Sequence, residues 1–395
     1  MRIFVVGNIN AGKSYIVSKL VKKYPLYKVL SIDEFRKKYS DSTIEKELET
    51  RKIFADEIIN SKDAIIEFSG GNTIASLFID KLRVNSCVVL EVEENLDICL
   101  ERINTKDFSK IPYPAFNESL SETIIRLDFE FKNNCIESNF NNKILYHYKI
   151  NSSINIDDLP LDQYEMTIRL VDELENKYDC LFAFGSLGRG ELNKYSDVDI
   201  FLKTKDSIAI VENKIKEIFP NSEIIIQRDQ IAIYIQNYLL EINIITNLKE
   251  AQLFYVKSEI KNIDRTILLG DDKLKLELEK LLNDYIYNFK EELAFTISRL
   301  KYYVKSLPRI MGKKDLYKYY FHNNIIIHEY VKLIYFINGN RSYSYLPRYA
   351  YEMVDLNIWR KLIYTFEEDQ EKHYNNIKKL TDDIISRAYN YLNSI

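Results

Sequence analysis

Gly185-Ser186-Leu187-Gly188-Arg189-Gly190-Glu191-Leu192-Asn193-Lys194-Tyr195-Ser196-Asp197-Val198-Asp199-Ile200 decides how this 395-residue chain is read. The stretch opens on a glycine turn after the apolar run Leu181–Phe184 and closes on Val198–Leu202, which reads as a strand. Side chains two apart on a strand share a face, so Asp197 and Asp199 project together while Val198 and Ile200 turn to the core. Two carboxylates so placed suit two Mg²⁺ ions. A pair of ions so held can activate a hydroxyl and neutralise phosphate charge. Gly185 lets the loop approach phosphates, and Ser186 with the amides around it can donate to their oxygens. Arg189 and Lys194 are candidate charge partners.

The motif resembles the G-S-x₁₀-D-x-D signature of the DNA-polymerase-β-like nucleotidyltransferases, with the Arg-Gly-Glu and Ser-Asp elements of the small bacterial members. The resemblance implies a third carboxylate on a neighbouring strand. Glu241, in Leu239-Leu240-Glu241-Ile242-Asn243-Ile244, is the acid inside the second arm of an apolar hairpin read at Ile231–Ile235 and Leu239–Ile245. An acid in such a run is costly unless paired or metal-bound. By resemblance it is the third metal ligand or the base that takes the acceptor proton; the alternative is the wet face of an edge strand, which Asn243 would share.

A second glycine loop lies at the start of the chain. Gly7-Asn8-Ile9-Asn10-Ala11-Gly12-Lys13-Ser14 fits G-x-x-x-x-G-K-S/T between an apolar strand and a helical segment, the context that this phosphate loop requires. Backbone amides there wrap phosphates, Lys13 reaches the β/γ oxygens and Ser14 suits one Mg²⁺. The surrounding region resembles the small P-loop kinases, such as shikimate, gluconate, adenylate and polynucleotide kinases. That resemblance implies an acceptor-binding or proton-abstracting role for Asp33 and a water-mediated Mg²⁺ role for Glu67, ahead of the close-approach glycines Gly70 and Gly71. It also implies that Arg102 and Arg126, flanking a lid-like polar stretch, meet the transferring phosphoryl group. The competing readings are a helix cap for Asp33, a solvated Arg126 and a structural turn at 70–71.

Around these two loops the chain reads as multi-domain. Residues 1–150 alternate apolar runs (Ile3–Val6, Lys28–Ile32, Ala64–Phe68, Cys87–Val92) with helical segments (Lys13–Lys23, Ser42–Asn60, Thr73–Lys81, Asn95–Ile103), the pattern of an α/β P-loop kinase-like domain. The polar segment 151–160 reads as a linker, 161–270 as an α+β nucleotidyltransferase domain and 271–395 as an all-α, substrate-binding helical bundle. This last region resembles the helical domain of bacterial enzymes that modify lincosamides and aminoglycosides; Tyr343, Tyr345 and Arg348 are its candidate acceptor contacts, with core packing as the alternative. His322 and His328 lack the partners that a metal site needs.

Composition narrows the function further. The net charge is −4, with 46% apolar and 29% charged residues, which suits folded cores and excludes a disordered chain. Residues 156–270 carry a balance of −7 and residues 271–395 a balance of +3, without the basic excess of a dedicated nucleic-acid binder. Four dispersed cysteines fit a reducing cytoplasm, and no apolar stretch is long enough for a membrane span. The expectation is a cytoplasmic, Mg²⁺-dependent enzyme that transfers a nucleotide, taken as AMP from ATP, to a hydroxyl of a small molecule, fused to an ATP-binding kinase-like domain. The alternative is a regulator that adenylylates a protein or RNA partner, with the P-loop domain as nucleotide sensor or polynucleotide-type kinase.

Overall fold

β1 (Arg2–Gly7) is buried along nearly its whole length and forms the centre of a five-stranded sheet. In the computed structural model, which describes residues 1–104, 118–341, 347–364 and 369–395, this sheet has the order β2-β3-β1-β4-β5. The others are β2 (Lys28–Ser31), β3 (Ala64–Glu67), β4 (Cys87–Val92) and β5 (Ile144–Ile150), all parallel to their neighbours. Parallel pairing needs crossovers, supplied by α1 (Lys13–Lys23), α2 (Ile32–Tyr39), α3 (Ile44–Asn60), the single turn α4 (Asn72–Ala75), α5 (Leu96–Glu101), α6 (Leu120–Lys132) and α7 (Cys135–Phe140). On one face Phe4 meets Phe68, Phe78 and Phe140 at ring distances of 5.1–6.3 Å.

Several elements differ from the sequence reading. The run expected as a strand through Ile32 ends at Ser31, and Ile32 opens α2. The helix expected over Thr73–Lys81 is replaced by α4 and a 3₁₀ turn at Ile79–Lys81, with Ile74, Ala75, Phe78 and Ile79 buried in the sheet core. The segment 151–160 is packed: Ile156 and Leu159 are buried in a core that continues from β1 and β4 into α8 (Leu161–Leu174).

A second, mixed sheet follows, with order β11-β6-β7-β10-β9-β8. Its elements are β6 (Leu181–Ala183), the short helix α9 (Gly185–Arg189), β7 (Val198–Lys203), α10 (Ile208–Ile218), β8 (Glu223–Gln227), β9 (Gln230–Ile235), β10 (Tyr238–Ile245), α11 (Gln252–Lys257) and β11 (Ile267–Leu269). β7 and β10 run parallel, whereas the other pairings are antiparallel. Val198, Ile200, Leu240 and Ile242 are fully buried, in one core with Val211 and Ile215 of α10 and Leu170 of α8, so the alternate residues belong to the opposite face.

Contacts group Met1–Tyr255 and Ile260–Leu281 into one compact unit that holds both sheets. Val256–Glu259 and Leu282–Ile395 form another, which is helical. Ahead of its first long helix runs α12 (Asp272–Asn283). In α13 (Phe289–Gly312), Leu293, Ile297, Leu300, Val304 and Leu307 recur at helical spacing, in one core with α14 (Leu316–Ile337) and α17 (Gln370–Ser394). The short helices α15 (Pro347–Met353) and α16 (Leu356–Leu362) lie between those last two in sequence.

Candidate functional site

β7 and β10 pair with Asp199 opposite Glu241. This register sets the two carboxylates side by side on the face that the apolar core does not use, and Asp197, just before β7, joins them. Ligand oxygens of Asp197, Asp199 and Glu241 all lie within 4.8 Å of one another. Gly185 sits directly against Asp199, and the Ser186 hydroxyl donates to the Asp197 carbonyl at 3.3 Å. Gly188 is packed less tightly, where a Cβ would meet the Ile260 side chain at 2.9 Å and the Ala183 carbonyl at 3.0 Å.

Burial, followed by the charges of Asp197 and Glu241, pushes the Asp199 carboxyl up to about 7; Arg189 acts in the opposite sense. Glu241 is raised too, by burial and then by Asp197. Three crowded carboxylates repel one another, which raises the proton affinity of Asp199 and Glu241, and hard divalent cations favour all-oxygen donor sets of this kind. The residues therefore fit a bound Mg²⁺. Arg189 pairs with Glu191 at 2.6 Å, and Lys194 forms an ion pair with Asp158, so Lys194 is committed to the segment before α8.

The N-terminal loop assembles a second site. Gly12 takes φ +98° and Asn10 φ +65°, left-handed geometry that curls the loop between β1 and α1. Gly7, at φ +146°, would place a Cβ 2.5 Å from the Val92 carbonyl. Lys13 Nζ donates to the Gly7 and Asn8 carbonyls at 3.0 and 2.7 Å, and the Ser14 hydroxyl donates to Glu67 Oε1 at 2.6 Å. Gly12, Lys13, Ser14, Asp33, Glu67, Arg102 and Arg126 all line one cavity of about 1350 Å³.

Their individual settings differ. Asp33 lies in the first turn of α2, with Arg36 Nη1 at 3.0 Å, and not at the end of a strand. Arg102 donates to the Asn10 carbonyl at 2.7 Å and pairs with Glu94 at 3.0 Å. Arg126, on α6, is held by Glu118 and Glu130 at 2.9 and 2.7 Å. Gly70 lies off the cavity wall, against Val6 and Ile136, whereas Gly71 reaches it.

Arg36 and Arg51, not singled out from the sequence, also line the cavity, both bonded to the buried Glu47. The four-residue spacing of Glu47 and Arg51 was the available signal. Most of the expected lid, 105–117, and the residues Tyr343 and Tyr345 lie outside the described residues, as does the side chain of Arg348.

Two carboxylates on adjacent parallel strands and a third just ahead of one of them, beside a Gly-Ser turn, make the kind of site that receives a divalent cation and a nucleoside triphosphate together. Residues 168–269 match the family model for the nucleotidyltransferase domain. No curated protein matches the chain. Among solved structures, the chain is similar to a shikimate kinase from Acinetobacter baumannii in complex with shikimate, at 16% identity and a TM-score of 0.30, over 45% of this chain and 94% of that one. It is also similar to a nucleotidyltransferase-like protein from Exiguobacterium sibiricum 255-15, at 13% identity and a TM-score of 0.30, over 57% of this chain and 74% of that one.

Proposed function

We propose that the chain is a cytoplasmic, Mg²⁺-dependent nucleotidyltransferase that moves AMP from ATP onto a hydroxyl of a small molecule such as an aminoglycoside-like compound. A second ATP site with kinase character occupies the N-terminal half. In this reading 1–150 is the kinase-like domain, 161–270 the transferase domain and 271–395 the helical substrate-binding domain. The cluster of Asp197, Asp199 and Glu241 under Gly185 is the observation that carries it. Among the described residues no helix is long and apolar enough to cross a membrane.

Asp197, Asp199 and Glu241 would hold the ions, which supply charge neutralisation for the triphosphate and activation of the acceptor hydroxyl. Gly185 keeps the floor of the site free of a side chain, so the triphosphate can lie against the loop. Ser186 and the neighbouring amides orient its terminal oxygens. The acceptor oxygen forms a bond to the α-phosphorus, the bond to the β-phosphate oxygen breaks, and pyrophosphate leaves. Where Glu241 is not the third ligand, it takes the proton that the acceptor gives up.

At the N-terminal site Lys13 would leave its own loop carbonyls for the β/γ-phosphates. Ser14 and Glu67, already joined by a hydrogen bond, would hold one Mg²⁺ between them, directly and through water. Asp33 faces the same cavity as the acid for an acceptor hydroxyl, and Arg102 and Arg126 border it as phosphoryl partners.

The test is transfer of label from α-³²P-ATP to a small-molecule acceptor with Mg²⁺, in the native chain and in Asp199→Asn. Loss of transfer in a folded Asp199→Asn supports the assignment. Unchanged pyrophosphate release overturns it.

A further inference from the structure

Each of the two sheets ends in two edge strands, and three of the four are protected. β2 is four residues long and opens on Lys28, which is ion-paired with Glu57. β5 is half-buried at its centre, where the Tyr148 hydroxyl donates to the Leu192 carbonyl at 3.1 Å. β11 is three residues long and buried throughout. The fourth edge, β8, reads Glu223-Ile224-Ile225-Ile226-Gln227 and is exposed along most of its length, Ile225 at 39% and Ile226 at 40%. Among the described residues no strand pairs with its outer side. Unpaired N–H and C=O groups recruit another strand, so exposed edges are ordinarily blunted by a lysine, a proline or a bulge. β8 carries none of the three, and its pairing with β9 is regular.

The backbone decides which groups this edge offers. Gln227 and Gln230 close a two-residue turn at Arg228 and Asp229, which makes them a hydrogen-bonded pair. Ile225 opposite Ala232, and Glu223 opposite Tyr234, repeat that pairing at every second residue. Ile224 and Ile226 lie between them and therefore turn N–H and C=O outward. The strand is also symmetric in chemistry, with three isoleucines between an acid and a carboxamide. A second β8 running antiparallel about a two-fold axis at Ile225 brings Ile224 of each copy to Ile226 of the other, where both backbone bonds are exchanged. Ile225 then meets Ile225, and the Gln227 amide faces the Glu223 carboxylate to which it can donate. Parallel pairing in register sets Glu223 against Glu223, and an antiparallel shift of two residues sets Glu223 or Gln227 against Ile225; both are poorer matches. Tyr234, exposed on β9 on the same face as Ile225, widens the apolar patch.

We propose that β8 is a dimer edge: two copies of this chain pair through it, antiparallel about Ile225, and join their six-stranded sheets into one continuous sheet. The interface is isologous, each copy giving the same strand and receiving it.

Light scattering on the full chain at micromolar concentration should return twice the chain mass. Ile225→Lys, which sets two ammonium groups face to face at the axis, should return the single mass with an unchanged circular dichroism spectrum. Ile225→Cys reads the register directly. Residues opposite each other between two hydrogen-bonded pairs stand about 4.5 Å apart at Cα, within disulfide reach, so mild oxidation should cross-link two copies of this variant. Gln227→Cys, about 14 Å along the strand from its counterpart, should not cross-link. Cys87, Cys99 and Cys180 are buried, and the native chain under the same oxidant gives the background from Cys135. A single mass for the native chain overturns the proposal, as does an Ile225→Lys chain that stays dimeric. Cross-linking of Gln227→Cys as readily as of Ile225→Cys overturns it as well.

Discussion

Gly185 and Asp199 touch in a way that only a residue without a side chain permits: a Cβ on Gly185, whose φ is +59°, would fall on Oδ2 of Asp199. The turn and the carboxylate are thus built against each other, and the glycine fixes where the acid points. Gly185→Ala should lower kcat for nucleotidyl transfer by at least about a hundredfold, because the displaced carboxylate can no longer share a cation with Asp197 and Glu241. Circular dichroism and ATP binding at the N-terminal loop should be unchanged. A kcat near the native value would show that the contact is incidental.

The crowding of Asp199 also makes a stability prediction. Its carboxyl ionises near 7 in the folded chain, against 3.8 ordinarily, so the folded state holds a proton that the unfolded state has already released. Between those values the unfolded state binds fewer protons, and stability falls as pH rises. Without Mg²⁺, Asp199→Asn should therefore melt a few degrees above the native chain at pH 8 and alongside it near pH 4. Mg²⁺ should raise the native Tm at pH 8 and leave the variant's nearly still. Thermal melts at both pH values, with EDTA and with Mg²⁺, measure the difference.

How much of this was legible in the sequence depended on the range of the interactions involved. Asp197 and Asp199 sit two apart, and a period of two is a local property. Glu241 stands out in the sequence as an acid in an apolar run, but its register opposite Asp199 comes from the parallel pairing of β7 with β10, which skips β8 and β9 and has no local signature. β5 escaped notice because its central residues, Tyr146, His147, Tyr148 and Lys149, are polar or half-exposed; His147 is in fact drawn in by the buried Glu91 at 2.7 Å. Ser31, Ile32 and Asp33 read equally well as strand end or helix start, and tertiary packing chose the helix. Composition shows only the polar character of 151–160; the burial of Ile156 and Leu159, beside the Asn155 cap, depends on distant partners.

Lys13 separates the two sites experimentally. Its ammonium is bonded to the Gly7 and Asn8 carbonyls and lines the N-terminal cavity, within the same compact unit as the carboxylate cluster. Lys13→Ala should weaken ATP binding at this site by about 10- to 100-fold, since a phosphate loses its charge-assisted partner. Nucleotidyl transfer at the central site should keep most of its rate. Titration with a fluorescent ATP analogue, run beside the α-³²P transfer assay, reads both. Loss of transfer in Lys13→Ala would make the two sites one functional unit.

Asp162 tests whether the two sheets form one folding unit. Its carboxylate accepts from Lys23 Nζ at 2.9 Å, the last residue of α1, from Tyr24 at 2.7 Å, just past it, and from Tyr238 at 2.6 Å, the first residue of β10. One half-buried acid at the start of α8 thus joins the helix that follows the phosphate loop to the strand that carries Glu241. Burial works against its charge, but the hydrogen bonds from Tyr238, Lys23 and Tyr24 prevail and hold its pKa below the ordinary 3.8. A carboxyl lowered in this way adds stability that is complete above the unfolded value and is lost as pH falls through the folded one. Asp162→Ala should cost about 2–4 kcal/mol at pH 7, and the deficit should shrink below pH 4. Because Lys23, Tyr24 and Tyr238 lose the same partner, residues 1–150 and 161–270 should soften together. Hydrogen exchange in the variant should accelerate in α1 and in β10 alike. Acceleration confined to one of the two would show that the halves fold independently.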